Sequence, residues 1–172
     1  MSVPWLVTWS TRGTWLPGDA RGFRTRRGKE YVPPPARYAK HGEAIYDPGA
    51  YRERYAAARH ACADIVVLTL AEQQLAMEAI VHKLDELPLT PYIIAVGKTH
   101  IHVIAAFGQL WIRPTVGLLK AEATRHIPNP GTRSSLWTEQ CHMESLPAEA
   151  DFQGGLLYVR GHVEEGALIY EW

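Results

Sequence analysis

His100-Ile101-His102, and later Tyr158 with His162, are the side chains whose types and spacing can do chemistry. The triplet lies in an apolar run, Thr99 to Phe107, which a Gly97-Lys98 turn joins to an earlier run, Tyr92 to Val96. A Gly-X pair between two such runs reads as a β-hairpin. Side chains along a strand alternate faces, so both imidazoles leave one face while Ile101, Val103 and Ala105 turn into a core. At that spacing they can converge on one metal ion. Tyr158 and His162 stand one helical turn apart. Two histidines on a strand, with a tyrosine and a third ligand on a later helix, suggest metal-assisted phosphoryl transfer from DNA to tyrosine.

A chain with 8 histidines in 172 residues produces His-x-His readily by chance, so the triplet alone carries little weight. The joint occurrence of the two motifs carries more, one on an expected strand and the other on an expected helix. A free phenol, with a pKa of about 10, is a weak nucleophile at neutral pH. A nearby metal ion stabilises the charge that develops on the attacked phosphate. Attack would leave a phosphotyrosine and a free 3′-hydroxyl, and because the phosphoester is kept the step suits rejoining as well as cutting.

The elements that must position these groups follow from periodicity. Trp5 to Thr11 reads as the first strand, with Trp5, Val7 and Trp9 alternating. A long irregular insert, about 13 to 46, carries Pro17, Pro33-Pro34-Pro35 and many glycines. Asp47-Pro48 opens a short helix bearing Tyr51, Tyr55, Ala58 and Cys62 on one side. Thr69 and Glu72 form a capping-box pattern for a helix reaching Leu87, with Met77, Ile80, Val81 and Leu84 inward. Pro114 opens another helix to His126, Leu136 to Met143 reads as a fourth strand, and a last helix spans about Asp151 to Glu165. The order β-α-β-β-α-β plus a helix predicts an α+β, ferredoxin-like antiparallel sheet with helices on one face and a C-terminal helix carrying the tyrosine. The whole chain, 1–172, reads as a single domain bearing the insert.

On the last helix Phe152, Leu156, Val159 and Val163 make the expected apolar stripe, with Tyr158 and His162 on its flank. Gly154, Gly155 and Gly161 leave the surface around the phenol bare. Glycine costs about 1 kcal/mol relative to alanine inside a helix. The three either admit a closely approaching nucleic-acid backbone or mean that the helix starts after Gly154-Gly155.

Composition sets limits. With 47% hydrophobic and 21% charged residues the chain can bury a sizeable core. No apolar run is long enough to span a membrane, the start lacks a signal-peptide pattern, and a cytoplasmic location is the expectation. Cys62 and Cys141 lack metal or redox spacing and read as reduced, buried thiols. The formal net charge is zero, which leaves room only for local basic patches. One such patch holds Arg12, Arg21, Arg24, Arg26, Arg27 and Lys29 with Trp15 and Phe23 on a glycine-rich segment. Guanidinium groups and rings of this kind suit single-stranded or hairpin nucleic acid, or else form a solvated loop. Lys98 can reach a phosphate beside the histidines. Arg113, Gly117, Lys120 and Thr124 share one helix face, either a phosphate-contacting ridge or a solvated surface. The remaining histidines, at 41, 60, 82, 126 and 142, have no partner pattern.

Taken together, the His-hydrophobe-His strand, the Tyr-x-x-x-His helix and the element order resemble the single-tyrosine HUH transposases, in particular the REP-associated tyrosine transposase branch. The opening run from Thr8 to Phe23 is similar to the N-terminus of a subgroup of that family, and Leu68-Thr69-Leu70-Ala71-Glu72-Gln73 to its entry into the first core helix. The likeness spans most of the chain. It implies that His100, His102 and His162 ligate a divalent metal, magnesium or manganese, and that Tyr158 forms a covalent 5′-phosphotyrosine. Three imidazoles are softer than magnesium prefers, which favours manganese or a later metal. The implied partners are single-stranded DNA hairpins and, in a homodimer, a second copy of the chain. A domesticated, non-catalytic hairpin-binding module is the alternative on the same scaffold. A two-histidine phosphoesterase would need two separated His-x-Thr or His-x-Ser motifs, which the sequence lacks.

Overall fold

Alternating side chains on five short strands build the sheet that carries the histidines. A computed structural model describes residues 2–14, 23–24, 31–32, 53, 56–57, 59–60, 65–128 and 135–172. Strand β1 is Pro4–Ser10, β2 Phe23–Arg24, β3 Tyr31–Val32, β4 Thr90–Val96, β5 His100–Ala106, β6 His142–Ser145 and β7 Leu168–Glu171. Five of them form one antiparallel sheet in the order β6-β1-β5-β4-β7. Without β7 this is the ferredoxin-like order, and the fold is α+β as expected. Among the described residues the helices that accompany the sheet are α1, Leu70–Glu86; α2, Ile112–His126; and α3, Glu149–Gly161.

The centre of the sheet is buried on both sides, which is why β4 and β5 read as nearly continuous apolar runs. On one side Val7, Trp9, Ile94, Val96, Ile101, Val103 and Ala105 pack with Ala76, Ile80 and Leu84 of α1 and Val116, Leu119 and Ala123 of α2. On the other, Leu6, Ile93, Ala95 and Ile104 pack with Leu146, Val159 and Ala167 under α3. Helix α1 begins with the expected capping box: the Glu72 amide donates to Thr69 Oγ1 at 3.3 Å and the Thr69 amide to Glu72 Oε2 at 2.8 Å. The doubly bonded guanidinium of Arg160 on Glu171, at 2.8 and 2.6 Å, ties α3 to β7.

Several boundaries depart from the sequence expectation. The segment from Leu136 is not a strand. Trp137 makes an isolated bridge to Thr11, and pairing resumes only at His142. The reason is visible in Lys120, whose ammonium collects the carbonyls of Thr138, Glu139 and Gln140 at 2.8, 3.3 and 3.1 Å and takes them out of the ladder. Strand β7 has no counterpart among the expected elements. The last helix starts at Glu149, before the glycine pair, and gives way after Gly161 to a 3₁₀ turn, His162–Glu165. The chain divides into two compact units, one of Met1–Thr11 with Val66–Trp172, the other Arg12–Ile65. Within the second unit β2 and β3 pair antiparallel, a short regular element inside the expected irregular insert, and residues 53, 56–57 and 59–60 are helical. The remaining expectations about residues 15–52 and about Tyr55, Ala58 and Cys62 lie outside the described residues, apart from these short pieces. Cys141 is a free, half-buried thiol.

The two neighbouring glycines of α3 do different work. A Cβ on Gly155 would lie 3.0 Å from Leu146 Cδ1 and 3.2 Å from Ile104 Cδ1, so Gly155 is what lets the helix approach the sheet. A Cβ on Gly154 would meet nothing within 4 Å. Gly154→Ala should therefore stabilise the protein by roughly 0.5–1 kcal/mol in chemical denaturation. Gly155→Ala should forfeit that gain against the two enclosed side chains. Equal stabilisation by both would refute the close-packing role of Gly155.

Candidate metal centre

The start of β5 is held in place from three directions. The Gly97 amide donates to the His100 carbonyl at 2.9 Å, the Thr11 amide to the Thr99 carbonyl and the Leu68 amide to the Lys98 carbonyl, both at 2.8 Å. The tight residues are thus Lys98 and Thr99, and neither has a positive φ. Glycine is present at 97 for a different reason than turn geometry: a Cβ there would stand 3.2 Å from the His100 carbonyl oxygen and 3.8 Å from its Cε1. Strand alternation then sends His100 and His102 to the α3 side, as expected, while Ile101 and Val103 enter the other core.

His162 arrives by the change of helix type. The 3₁₀ turn tightens the chain after Gly161, so that His162 becomes buried at 8% exposure while Val163, the residue expected on the apolar stripe, is 60% exposed. Gly166, with φ of 80°, stops the turn, and the Ala167 amide donates to the His162 carbonyl at 3.1 Å. Gln73 of α1, 1% exposed, braces segments next to the ligands: with its amide nitrogen turned toward them it donates to the carbonyls of Val96, at the end of β4, at 3.1 Å and of Gly166 at 3.2 Å.

One ligand atom from each of His100, His102 and His162 lies within 4.8 Å of the others. The His102 and His162 rings stack at 4.4 Å, and His100 stands edge-on to them at 4.9 and 5.1 Å. Nε2 of His102 and Nε2 of His162 are buried without a hydrogen-bond partner. Each such atom costs about 1–3 kcal/mol when left unpaired. An ion between them would remove that cost, and neutral imidazoles are its proper ligands. His102 is neutral: burial, and then the neighbouring His100, His162 and His142, push its pKa down to about 3. The donor set therefore fits a divalent metal held by these three residues.

Tyr158 flanks the cluster, with its ring 5.3 Å from His102 and 4.9 Å from His162, and is 53% exposed. Burial of its inner edge raises the phenol pKa, and the carboxylates of Glu165 and Glu144 raise it further. The phenol is protonated at neutral pH, and a cation beside it would oppose all three effects. An open cleft of about 670 Å³ adjoins it, lined among others by Leu6, Thr8, His142, Glu144 and Gly154.

The other candidates do not gather here. Lys98 is exposed in the hairpin turn next to His100. Arg113 and Lys120 line a separate cavity of about 280 Å³ with Cys141, on the helix that covers the opposite face, and the Lys120 ammonium is already engaged by three carbonyls. Arg12 is half-buried at the start of the second unit, and Arg24 belongs to β2. Trp15, Arg21, Arg26, Arg27 and His41 lie outside the described residues. His82 and His126 pair with Glu86 and Glu122 on exposed helix surface.

Sequence reasoning missed Thr8, Thr99, Glu165 and Gln73. Thr8 Oγ1 is 2.7 Å from His102 Nδ1, Thr99 Oγ1 3.1 Å from His100 Nδ1, and Glu165 Oε2 3.3 Å from His162 Nδ1. Thr99 and Glu165 are local in sequence, one residue before and three residues after their histidines. Thr8 depends on the register that sets it opposite His102.

No family model matches the chain, and no curated protein matches it. Among solved structures it is similar to that of a REP-associated tyrosine transposase bound to a REP hairpin, with a TM-score of 0.54 and 13% identity, covering 96% of this chain and 69% of the other. At that identity the likeness concerns the fold. No helix among the described residues is long and apolar enough to cross a membrane.

The depressed pKa of His102 has a sign that can be tested. Between the ordinary value of 6.5 and about 3 the unfolded chain binds a proton that the folded one excludes. Its contribution to stability is thus present above 6.5 and is lost as pH falls toward 3. Metal-free protein should lose denaturant stability across that window, and His102→Leu should flatten the loss. A variant with an unchanged slope would show that His102 is not the buried neutral group.

Proposed function

We propose that the protein is a metal-dependent single-stranded DNA endonuclease and strand transferase, a transposase-type enzyme acting on hairpin-flanked DNA through Tyr158. One observation carries this reading: three convergent imidazoles, two with unpartnered buried nitrogens, beside a half-exposed tyrosine. The likeness in fold to a transposase bound to a REP hairpin supports it.

In this reading His100, His102 and His162 hold a divalent ion, magnesium or manganese, which supplies Lewis-acid stabilisation of the charge on the scissile phosphate. The Tyr158 oxygen attacks phosphorus as its proton departs. The bond to the 3′-oxygen breaks, and that oxygen takes up a proton to leave as a free hydroxyl, with the 5′-phosphate esterified to the phenol. Reversal with another 3′-hydroxyl rejoins strands. The bare helix face at Gly154 and Gly161 leaves room for the sugar-phosphate backbone beside the phenol. Lys98 and the arginines at 12, 21, 24, 26 and 27, with Trp15, are the groups this reading assigns to gripping phosphates and stacking unpaired bases. Arg113, on the other face, would serve only a path of DNA that wraps the sheet.

The non-catalytic hairpin-binding alternative keeps the scaffold and dispenses with the reaction. Incubation with hairpin oligonucleotides from the flanks of its own gene plus manganese separates the two. The wild-type protein should form a covalent protein-DNA band that disappears with chelator. Tyr158→Phe should form none while binding the hairpin with nearly unchanged affinity, because only the nucleophilic oxygen is removed. Adduct from the Phe variant would mean another nucleophile, and tight hairpin binding without adduct by the wild type would favour the binding module.

A further inference from the structure

In each imidazole of the cluster Nδ1 lies beside a side-chain oxygen of the protein. A carboxylate can only accept, so the contact between His162 Nδ1 and Glu165 Oε2 at 3.3 Å requires Nδ1 to carry the proton. His162 Nε2 is then a bare lone pair in a buried position. Thr8 is more ambiguous because a hydroxyl can donate or accept. If it donated to His102 Nδ1, the His102 proton would sit on Nε2, a buried donor with no acceptor. If it accepts, His102 Nε2 becomes a second buried lone pair in the three-histidine cluster.

We infer that Thr8 and Glu165 are positioning residues that fix the Nδ1–H tautomers of His102 and His162 and so prepare both Nε2 atoms as ligands before any ion arrives. The inference rests on the metal centre of the proposed function and assigns tasks to two residues outside it. An unpartnered histidine side chain in water prefers the opposite tautomer, with the proton on Nε2. Without these partners each histidine would therefore have to change tautomer in order to bind. Thr8 can do this because the β1–β5 register sets it directly opposite His102, with the small Ala95 on the far side. Glu165 can do it because the 3₁₀ turn brings a residue three positions on back over the ring. Outer partners of this kind orient metal-bound histidines and change affinity roughly 10–100-fold when lost.

The test reads the tautomers directly in chelator-treated, full-length protein, by NMR of isotope-labelled imidazole nitrogens under mildly alkaline conditions. The wild type should show Nδ1–H for both His102 and His162. Thr8→Val should shift His102 toward Nε2–H, Glu165→Leu should do the same for His162, and each should weaken manganese binding roughly 10–100-fold by calorimetry. Thr8→Ser and Glu165→Gln, which keep an acceptor oxygen, should retain the wild-type tautomers and most of the affinity. Nε2–H in the metal-free wild type, or unchanged tautomers in the Val and Leu variants, overturns the inference. The readout needs neither DNA nor turnover, so the tautomers can be as expected even if no covalent adduct ever forms. Conversely, tight manganese binding with Nε2–H tautomers would leave the metal centre standing and remove Thr8 and Glu165 from it.

Discussion

Two buried imidazole nitrogens in a cluster of three histidines, from His102 on a strand and His162 at the end of a helix, have no protein partner, and the surrounding structure keeps them there. Leaving two such groups unpaired is costly in a protein interior. The fold nevertheless forces the arrangement. Gly155 lets α3 settle onto Ile104 and Leu146, the 3₁₀ turn swings His162 inward, and Gln73 anchors the carbonyls of Val96 and Gly166 on the neighbouring segments. A site held open at an energetic cost, with all its outer nitrogens engaged, has the character of one built for an ion.

The same packing sets the state of the tyrosine. Tyr158 sits where its ring touches two of the histidines while its exposed side adjoins a cleft, and Glu165 and Glu144 add negative potential around it. Without a cation the phenol holds its proton more firmly than usual. With one, the environment reverses. The nucleophile and the ligands are thus coupled electrostatically, and Glu165, which faces both His162 and Tyr158, lies where the two effects meet.

Much of this was legible in the sequence because it follows from local periodicity. Alternation along β5 put the two histidines on one face and their neighbours in the core, and Thr69 with Glu72 announced α1. What could not be read depended on contacts distant in sequence. The stripe was expected at Val163 because a uniform 3.6-residue period runs past Gly161, whereas the chain tightens there and buries His162 instead. The segment after Leu136 looked like a strand by composition, but its carbonyls are taken by Lys120. Thr8 acquires its place only through strand register, and β7 only by completing the edge beside β4.

The central claim is that three imidazoles converge on one ion next to Tyr158. Pulsed electron paramagnetic resonance of the manganese-loaded protein, with histidine nitrogens isotopically labelled, counts those ligands in solution. The account predicts coupling to three directly bound imidazole nitrogens, falling to two when His162 is replaced by alanine. Coupling to no more than two in the wild type, unchanged by that replacement, would contradict it.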